Sequence, residues 1–126
     1  MKLNPTTIGL TFAGGALGTL GRFAADTAIS NTLLTLYVVN LLGAAALGWF
    51  NGDNRFHSDN ARAFWSIGLA GGFTTMSGVA LWYAVNLGSI FGSTVLVVSM
   101  FGAGIVAYWA GLRFGYLSTQ KRKLED

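Results

Sequence analysis

Four long apolar stretches, separated by short polar segments, dominate this 126-residue sequence. They cover roughly residues 5–25, 32–50, 63–85 and 91–112, and each approaches the ~20 apolar residues that one helix needs to cross a bilayer. Only 10% of the residues are charged, against about 25% in soluble domains. Because so few charges cannot cover a water-facing surface, the sequence predicts an all-α membrane protein, a single domain of four transmembrane helices.

The basic residues are unevenly distributed between the two sides of such a domain. Four spans put both termini on one side, and that side, with the loop between spans two and three, holds seven of the eight cations: Lys2, Arg55, Arg62, Arg113, Lys121, Arg122 and Lys123. The other side holds Arg22. This bias predicts a chain of fixed orientation in the cell membrane, with both termini cytoplasmic. Since these cations lie at helix ends, anionic lipid headgroups fit them better than nucleic acid.

Small residues recur four positions apart within the predicted spans, which places them on one helix face. The pairs are Gly14 and Gly18, Gly68 and Gly72, and Gly111 and Gly115, and span two carries a smooth run from Gly43 to Gly48. Small residues let lipid-embedded helices approach closely. The pattern predicts tight packing within the chain, and a four-helix chain this small is also expected to dimerise.

The middle of span three is a poor helix former. Residues 71–78 read Gly-Gly-Phe-Thr-Thr-Met-Ser-Gly, with low helix propensity throughout. One interpretation is a break near the membrane midplane, whose freed carbonyls would suit a cation such as Na⁺. The other is an unbroken helix whose hydroxyls bond back to the preceding turn.

Two further polar side chains fall within the spans and leave alternatives open. Asn40 lies near the middle of span two, where its amide either bonds between helices or contacts a permeating ion. Arg22 ends span one and either extends to the lipid interface or points into an aqueous vestibule that attracts anions.

Several kinds of chemistry lack the residues they need. The sequence has no cysteine, and its one histidine, His57, lies in the polar loop without catalytic companions, so neither an enzyme nor an organic cofactor is expected. No aspartate or glutamate lies within a span, which disfavours a proton-coupled multidrug exporter. The charged tail, residues 118–126, is expected to fray.

Three motifs together resemble one known family. They are Gly14-Gly15-x-x-Gly18-x-x-x-Arg22-Phe23 in span one, Val39-Asn40-x-x-Gly43 in span two and Gly71-Gly72-x-Thr74-Thr75-x-Ser77 in span three. In this order the chain resembles the Fluc (CrcB-type) fluoride channel family. The resemblance implies an antiparallel dimer that passes fluoride passively, without catalysis.

The resemblance also implies roles for particular residues. The backbone carbonyls of Gly71 and Thr74 would hold a structural Na⁺ at the dimer interface. The fluoride path would include six side chains: Arg22, Asn40, Met76, Ser77, Val79 and, by a looser alignment in span four, Ser99.

The chain departs from the family pattern at the pore positions. Met76 and Val79 stand where the family has phenylalanines, and Leu36 stands where it has a hydroxyl residue. A bare anion would meet an uncompensated desolvation cost along such an apolar lining. We therefore expect a heterodimer, in which a homologous subunit supplies the intact set, rather than a homodimer. The alternative is a non-conducting structural or assembly subunit.

Overall fold

The computed structural model of the protein describes residues 4–125, so Lys2, counted above among the cytoplasmic charges, and Asp126 lie outside the described residues. The described chain forms five α-helical segments: α1 (Pro5–Ala28), α2 (Thr32–Gly52), α3 (residues 59–73), α4 (Met76–Val85) and α5 (Ile90–Glu125). Most of α3 has wide π-helical turns, over Arg62–Ala70. Within residues 4–125 there is no strand. The predicted all-α fold of four helices, with the third divided into α3 and α4, is confirmed.

Asparagine side chains define the starts of the first two helices. The Asn4 side chain accepts a 2.8 Å hydrogen bond from the Thr7 N–H, and the Thr7 hydroxyl accepts one from the Asn4 N–H at 3.0 Å. Pro5 follows as the first helical residue, where its missing N–H costs nothing. Asn31 caps α2 in the same way, accepting from the Leu34 N–H at 2.9 Å.

Within residues 4–125, three helical stretches are long and apolar enough to cross a membrane, judged by length and composition. They are Thr32–Gly52, Asp59–Val85 and Leu87–Glu125. Helix α1 is not among them, although its 24 residues would extend about 36 Å, more than a ~30 Å hydrocarbon core. The chain is a multi-pass membrane protein, and the crossing by its first helix stays a prediction.

Helix α1 packs along α3 through glycines on both helices. A Cβ added at Gly14 would lie 2.2 Å from the Phe64 carbonyl oxygen, and one added at Gly72 would lie 2.4 Å from that of Gly15. A Cβ added at Gly18 or Gly68 would likewise lie 2.2 or 2.7 Å from a carbonyl oxygen of the opposite helix. The spacing of four residues therefore predicted the contact faces of this pair, because only glycine permits such backbone contact.

A second glycine seam joins α2 to α5. A Cβ at Gly48 would lie 2.0 Å from the Tyr108 carbonyl oxygen, and one at Gly115 would lie 2.5 Å from that of Trp49. Helix α5 runs on to Glu125, so the expectation of a frayed tail is wrong for the described residues up to 125. The side chains that hold the tail are described below.

Candidate functional site at the break of the third helix

The backbone leaves the helical conformation at two threonines near the middle of Asp59–Val85. Thr74 and Thr75 are extended, with ψ angles of 157° and 109°. The Thr74 hydroxyl donates back to the Ala70 carbonyl at 3.1 Å, and the Thr75 hydroxyl accepts from the Gly78 N–H at 3.0 Å. One hydroxyl thus closes α3 and the other caps α4. The interpretation of an unbroken helix is wrong.

Asn40 of α2 replaces the hydrogen bonds that the break removes. Its side-chain oxygen accepts from the Thr75 N–H at 2.9 Å, and its Nδ2 donates to the Thr75 carbonyl at 3.3 Å. The same Nδ2 donates to the Leu36 carbonyl at 2.9 Å. Both amide hydrogens therefore have acceptors within the chain. Of the two roles considered for Asn40, interhelical bonding is observed, and contact with an ion stays a prediction.

The break also leaves a carbonyl without its helical donor. In a continuous helix the Thr75 N–H would donate to Gly71, but here it donates to Asn40. Gly71 is also an exposed residue, and a Cβ added there would meet nothing within 4 Å. A carbonyl that is both freed and accessible is a suitable ligand for a cation such as Na⁺.

Arg22 lies beside the break rather than at a distant interface. Its Nη1 is 3.5 Å from the Thr74 carbonyl oxygen, the second carbonyl predicted to hold Na⁺. The half-buried guanidinium lines a cavity of about 860 Å³, which Thr75 and Ser77 also line. The structure thus brings together the Arg22 guanidinium, hydroxyl groups and the break in one cavity, which Asp26 also lines. This position fits the vestibule interpretation of Arg22.

The other predicted path residues of α4 lie in apolar surroundings. Met76 and Val79 line a second cavity of about 290 Å³, with Asn40 and Met100. Val79 is also part of a buried cluster with Leu36 and Met100, where each is at most 6% exposed. Apolar side chains therefore occupy the positions at which the family pattern has aromatic or hydroxyl groups. Leu36 and Val79 are packed, whereas Met76 is 59% exposed.

Ser99 is separated from this group. Its hydroxyl lies 2.7 Å from the Leu96 carbonyl oxygen and within hydrogen-bond distance of the Tyr37 hydroxyl, and its one hydrogen is donated to one of these two oxygens. Tyr37 also donates to the Leu96 carbonyl, at 2.8 Å. The sequence interpretation overlooked Tyr37, although a phenol three residues before Asn40 was a visible signal. Any role of Ser99 in an ion path stays a prediction.

Comparison with known proteins identifies the family. A family model described as CrcB-like protein, Camphor Resistance (CrcB), matches residues 9–112. The chain belongs to the CrcB-like family. This confirms the resemblance, and the match contains every residue assigned above to the break and its cavities.

Named relatives of this family are ion channels. A Fluoride-specific ion channel FluC 2 of Leifsonia xyli subsp. xyli is 35% identical over 84% of this chain and 81% of its own length. Another FluC 2, from Rubrobacter xylanophilus, is 34% identical over 84% and 79%. A FluC of Gluconobacter oxydans is 40% identical over 60% of each chain. No solved structure matches the chain.

A charged network at the end of α2 joins the CrcB-like region to the tail beyond it. Asp53, fully buried, accepts from Arg55 at 2.9 Å and from Arg122 at 2.7 Å. Ser118 donates to the same carboxylate at 3.0 Å. Burial alone would raise the pKa of Asp53, but the hydrogen bonds from Arg55, Arg122 and Ser118 hold it well below its ordinary value. This network holds α5 helical to its end.

Asp53→Asn should make folding less dependent on pH. Because the folded pKa of Asp53 is lowered, its charge stabilises the fold above the unfolded pKa of about 3.9. That stabilisation is lost as the pH falls from there through the folded pKa. At pH 7 the variant should lose about 1.5–3 kcal/mol, typical of hydrogen bonds to a charged group. The difference in unfolding free energy between variant and parent, measured by unfolding in detergent, should become smaller below pH 4.

Asp59→Asn is the matched control, since Asp59 is an exposed carboxylate six residues further on, at the start of α3. This variant should lose no more than about 1 kcal/mol of unfolding free energy, because a charge at a helix N-terminus contributes about 0.3–1 kcal/mol. Equal losses for the two variants, at all pH values, would contradict the assignment of Asp53.

Proposed function

We propose that the chain is one subunit of a passive fluoride channel, acting with a second, homologous four-helix subunit in an antiparallel dimer. The observation that carries this proposal is the break at Thr74 and Thr75, closed by Asn40 and flanked by the Arg22 cavity. Membership of a family whose named relatives are fluoride-specific channels supplies the ion. Hydrogen fluoride, a weak acid, would enter the cell and dissociate, which traps the fluoride anion in the cytoplasm. The channel would let this fluoride leave down its concentration gradient.

The break supplies the ligands for a structural Na⁺ in this proposal. Gly71 offers a carbonyl that has lost its helical donor, and Thr74 offers one that Arg22 approaches at 3.5 Å. The bound ion would supply positive charge for carbonyls that lipid cannot satisfy, and would join the two subunits across their seam.

The polar side of the break would attract the anion. Arg22 places a guanidinium in the vestibule, which Asp26 also lines. The exposed Ser77 hydroxyl lies there too, 3.3 Å from that of Thr75. Beyond it, the path would pass Asn40 and then the apolar Met76 and Val79, with Ser99 further along α5. A dehydrated anion finds no compensating dipole on those apolar side chains. The partner subunit would therefore supply the groups that stabilise fluoride.

Opposite orientation of two different chains is consistent with the charge distribution. Asp53 binds both Arg55 and Arg122, so the loop between α2 and α3 and the end of α5 lie at the same end of the molecule. Five of the eight basic residues lie in these segments or at the start of α3: Arg55, Arg62, Lys121, Arg122 and Lys123. The positive-inside bias would fix this end, and both termini, in the cytoplasm. An antiparallel partner needs the reverse bias.

Reconstitution of the chain into liposomes, alone and with a co-expressed homologous partner, tests the proposal. The partner should be a four-span chain that carries the phenylalanines missing here. Fluoride efflux, measured with a fluoride electrode, should appear for the pair and fall at least tenfold for this chain alone. Chloride efflux is the selectivity control. Robust fluoride efflux from this chain alone would exclude the heterodimer, and no efflux from any pair would exclude the channel.

A non-conducting structural subunit is the second candidate function. It is favoured by the buried cluster of Leu36, Val79 and Met100, and by an Asn40 amide whose hydrogens are used within the chain. In the same assay, a partner that conducts as well alone as in the pair would support it.

A further inference from the structure

We propose that a groove at the predicted cytoplasmic end of α5 binds one anionic phospholipid. The groove, of about 630 Å³, lies between α5 and the segment that follows α2. The end of α2 and the segment after it give a polar wall, with Asn51, Asn54 and His57. Helix α5 gives the other wall, which is largely apolar, with Trp109, Leu112, Tyr116 and Leu117, and which also carries Arg113 and Gln120. A polar wall beside an apolar one matches a headgroup joined to an acyl chain.

The groove is built on a rigid floor. A Cβ added at Gly52 would lie 2.3 Å from the Leu112 carbonyl oxygen, so α2 and α5 are in backbone contact beneath it. Asn51 donates to the Tyr108 hydroxyl across this seam at 3.2 Å. A ring nitrogen of His57 lies 3.0 Å from the Asn51 carbonyl oxygen. These contacts fix the polar wall relative to α5, so the shape exists before a ligand arrives.

Arg113 provides the charge that selects an anion. Its guanidinium carbon lies 5.4 Å from the centre of the Trp109 ring, a cation–π distance that orients the exposed side chain along the groove. None of the described residues that line the groove is acidic. Asp53, the buried carboxylate nearby in sequence, is bound by Arg55 and Arg122 instead. The groove therefore complements a phosphate rather than a cationic headgroup.

The position of the groove favours a lipid over a soluble phosphate. Trp109 and Leu117 are more than half exposed. Exposure of these apolar side chains is unfavourable in water but not beside an acyl chain. An aromatic cluster, including Trp49, Phe56 and Trp65, lies at the same end of α2 and α3. Tryptophan gathers where headgroups meet hydrocarbon. Arg113 directly follows the fourth apolar stretch, residues 91–112, so the depth of lipid phosphates is the expected place for its side chain.

Lipid binding to Arg113→Gln tests the inference. Native mass spectrometry of the full chain, in the assembly in which it purifies, would be recorded while phosphatidylglycerol is titrated. One phosphatidylglycerol should bind more tightly than the rest, and the substitution should weaken it roughly fivefold or more, as expected for one cation facing a lipid phosphate. Phosphatidylcholine should bind equally to both proteins. Trp109→Ala should weaken the same phosphatidylglycerol without changing the net charge.

Lys121→Gln is the matched control, because it removes the same charge from the same helix outside the groove. It should leave the tight phosphatidylglycerol in place. Equal losses for Arg113→Gln and Lys121→Gln would mean diffuse attraction and would overturn the proposal. Displacement of the lipid by millimolar inorganic phosphate would overturn it too, since the site would then recognise a soluble anion. The readout is independent of fluoride flux, so it stands apart from the proposed channel.

Discussion

Asn40→Ala should destabilise the fold by about 2–6 kcal/mol. The substitution leaves the N–H and the carbonyl of Thr75 without the partners they have at 2.9 and 3.3 Å, and each buried unsatisfied group costs about 1–3 kcal/mol. Unfolding by SDS in mixed micelles, followed by tryptophan fluorescence, should show a transition at much lower SDS fraction than the parent.

Asn51→Ala gives the comparison on the same helix. Its amide makes a single bond to the Tyr108 hydroxyl, at 3.2 Å, and that hydroxyl can turn to water near the helix end. The loss should be about 0.5–1.5 kcal/mol, the net value of an ordinary hydrogen bond. If Asn40→Ala were no worse than Asn51→Ala, the break would be stabilised by something other than Asn40.

The break itself could be predicted from sequence because its causes are local. Two glycines, two β-branched threonines and a Ser-Gly pair within eight residues disfavour helix wherever they occur. The hydroxyls then serve the residues next to them: Thr74 bonds to Ala70, and Thr75 bonds to Gly78. No distant partner is needed to place the end of one helix and the start of the next.

The partners of the break could not be predicted in the same way. Asn40 is 35 residues from Thr75, and Arg22 is 52 residues from Thr74. A buried amide must find hydrogen bonds, but its sequence does not say where. The Asp53 network has the same character, since Arg122 lies 69 residues away. The polar tail looked frayed because its stabilising carboxylate is so remote.

The glycine contacts between helices could be predicted only in part from the sequence. The spacing of four identified a smooth face on each helix, yet it did not say which faces meet. The structure pairs α1 with α3 and α2 with α5, with the glycines of one helix touching the backbone of the other. In each pair, glycines of both helices meet the backbone of the opposite helix, so local spacing fixes the contact once the topology is known.

Gly111→Ala should separate α2 from α5. An added Cβ would lie 2.0 Å from the Ala45 carbonyl oxygen and 3.0 Å from the Trp49 nitrogen, and both are backbone atoms that cannot rotate away. The helices must move apart, which loosens the contacts of Gly48 and Gly115 in the same seam. Overpacking typically costs about 1–3 kcal/mol, and we expect the upper end of that range, measured as the loss of stability in the SDS titration.

Gly102→Ala on the same helix is the matched control, because an added Cβ there meets nothing within 4 Å. Alanine has the higher helix propensity, by about 0.8–1 kcal/mol, so this variant should be as stable as the parent or more stable. The opposite effects of one added methyl group at two positions of α5 would isolate backbone contact as the cause. A Gly111→Ala protein as stable as Gly102→Ala would show that the α2–α5 seam is looser than the structure describes, and the floor of the lipid groove would lose its support with it.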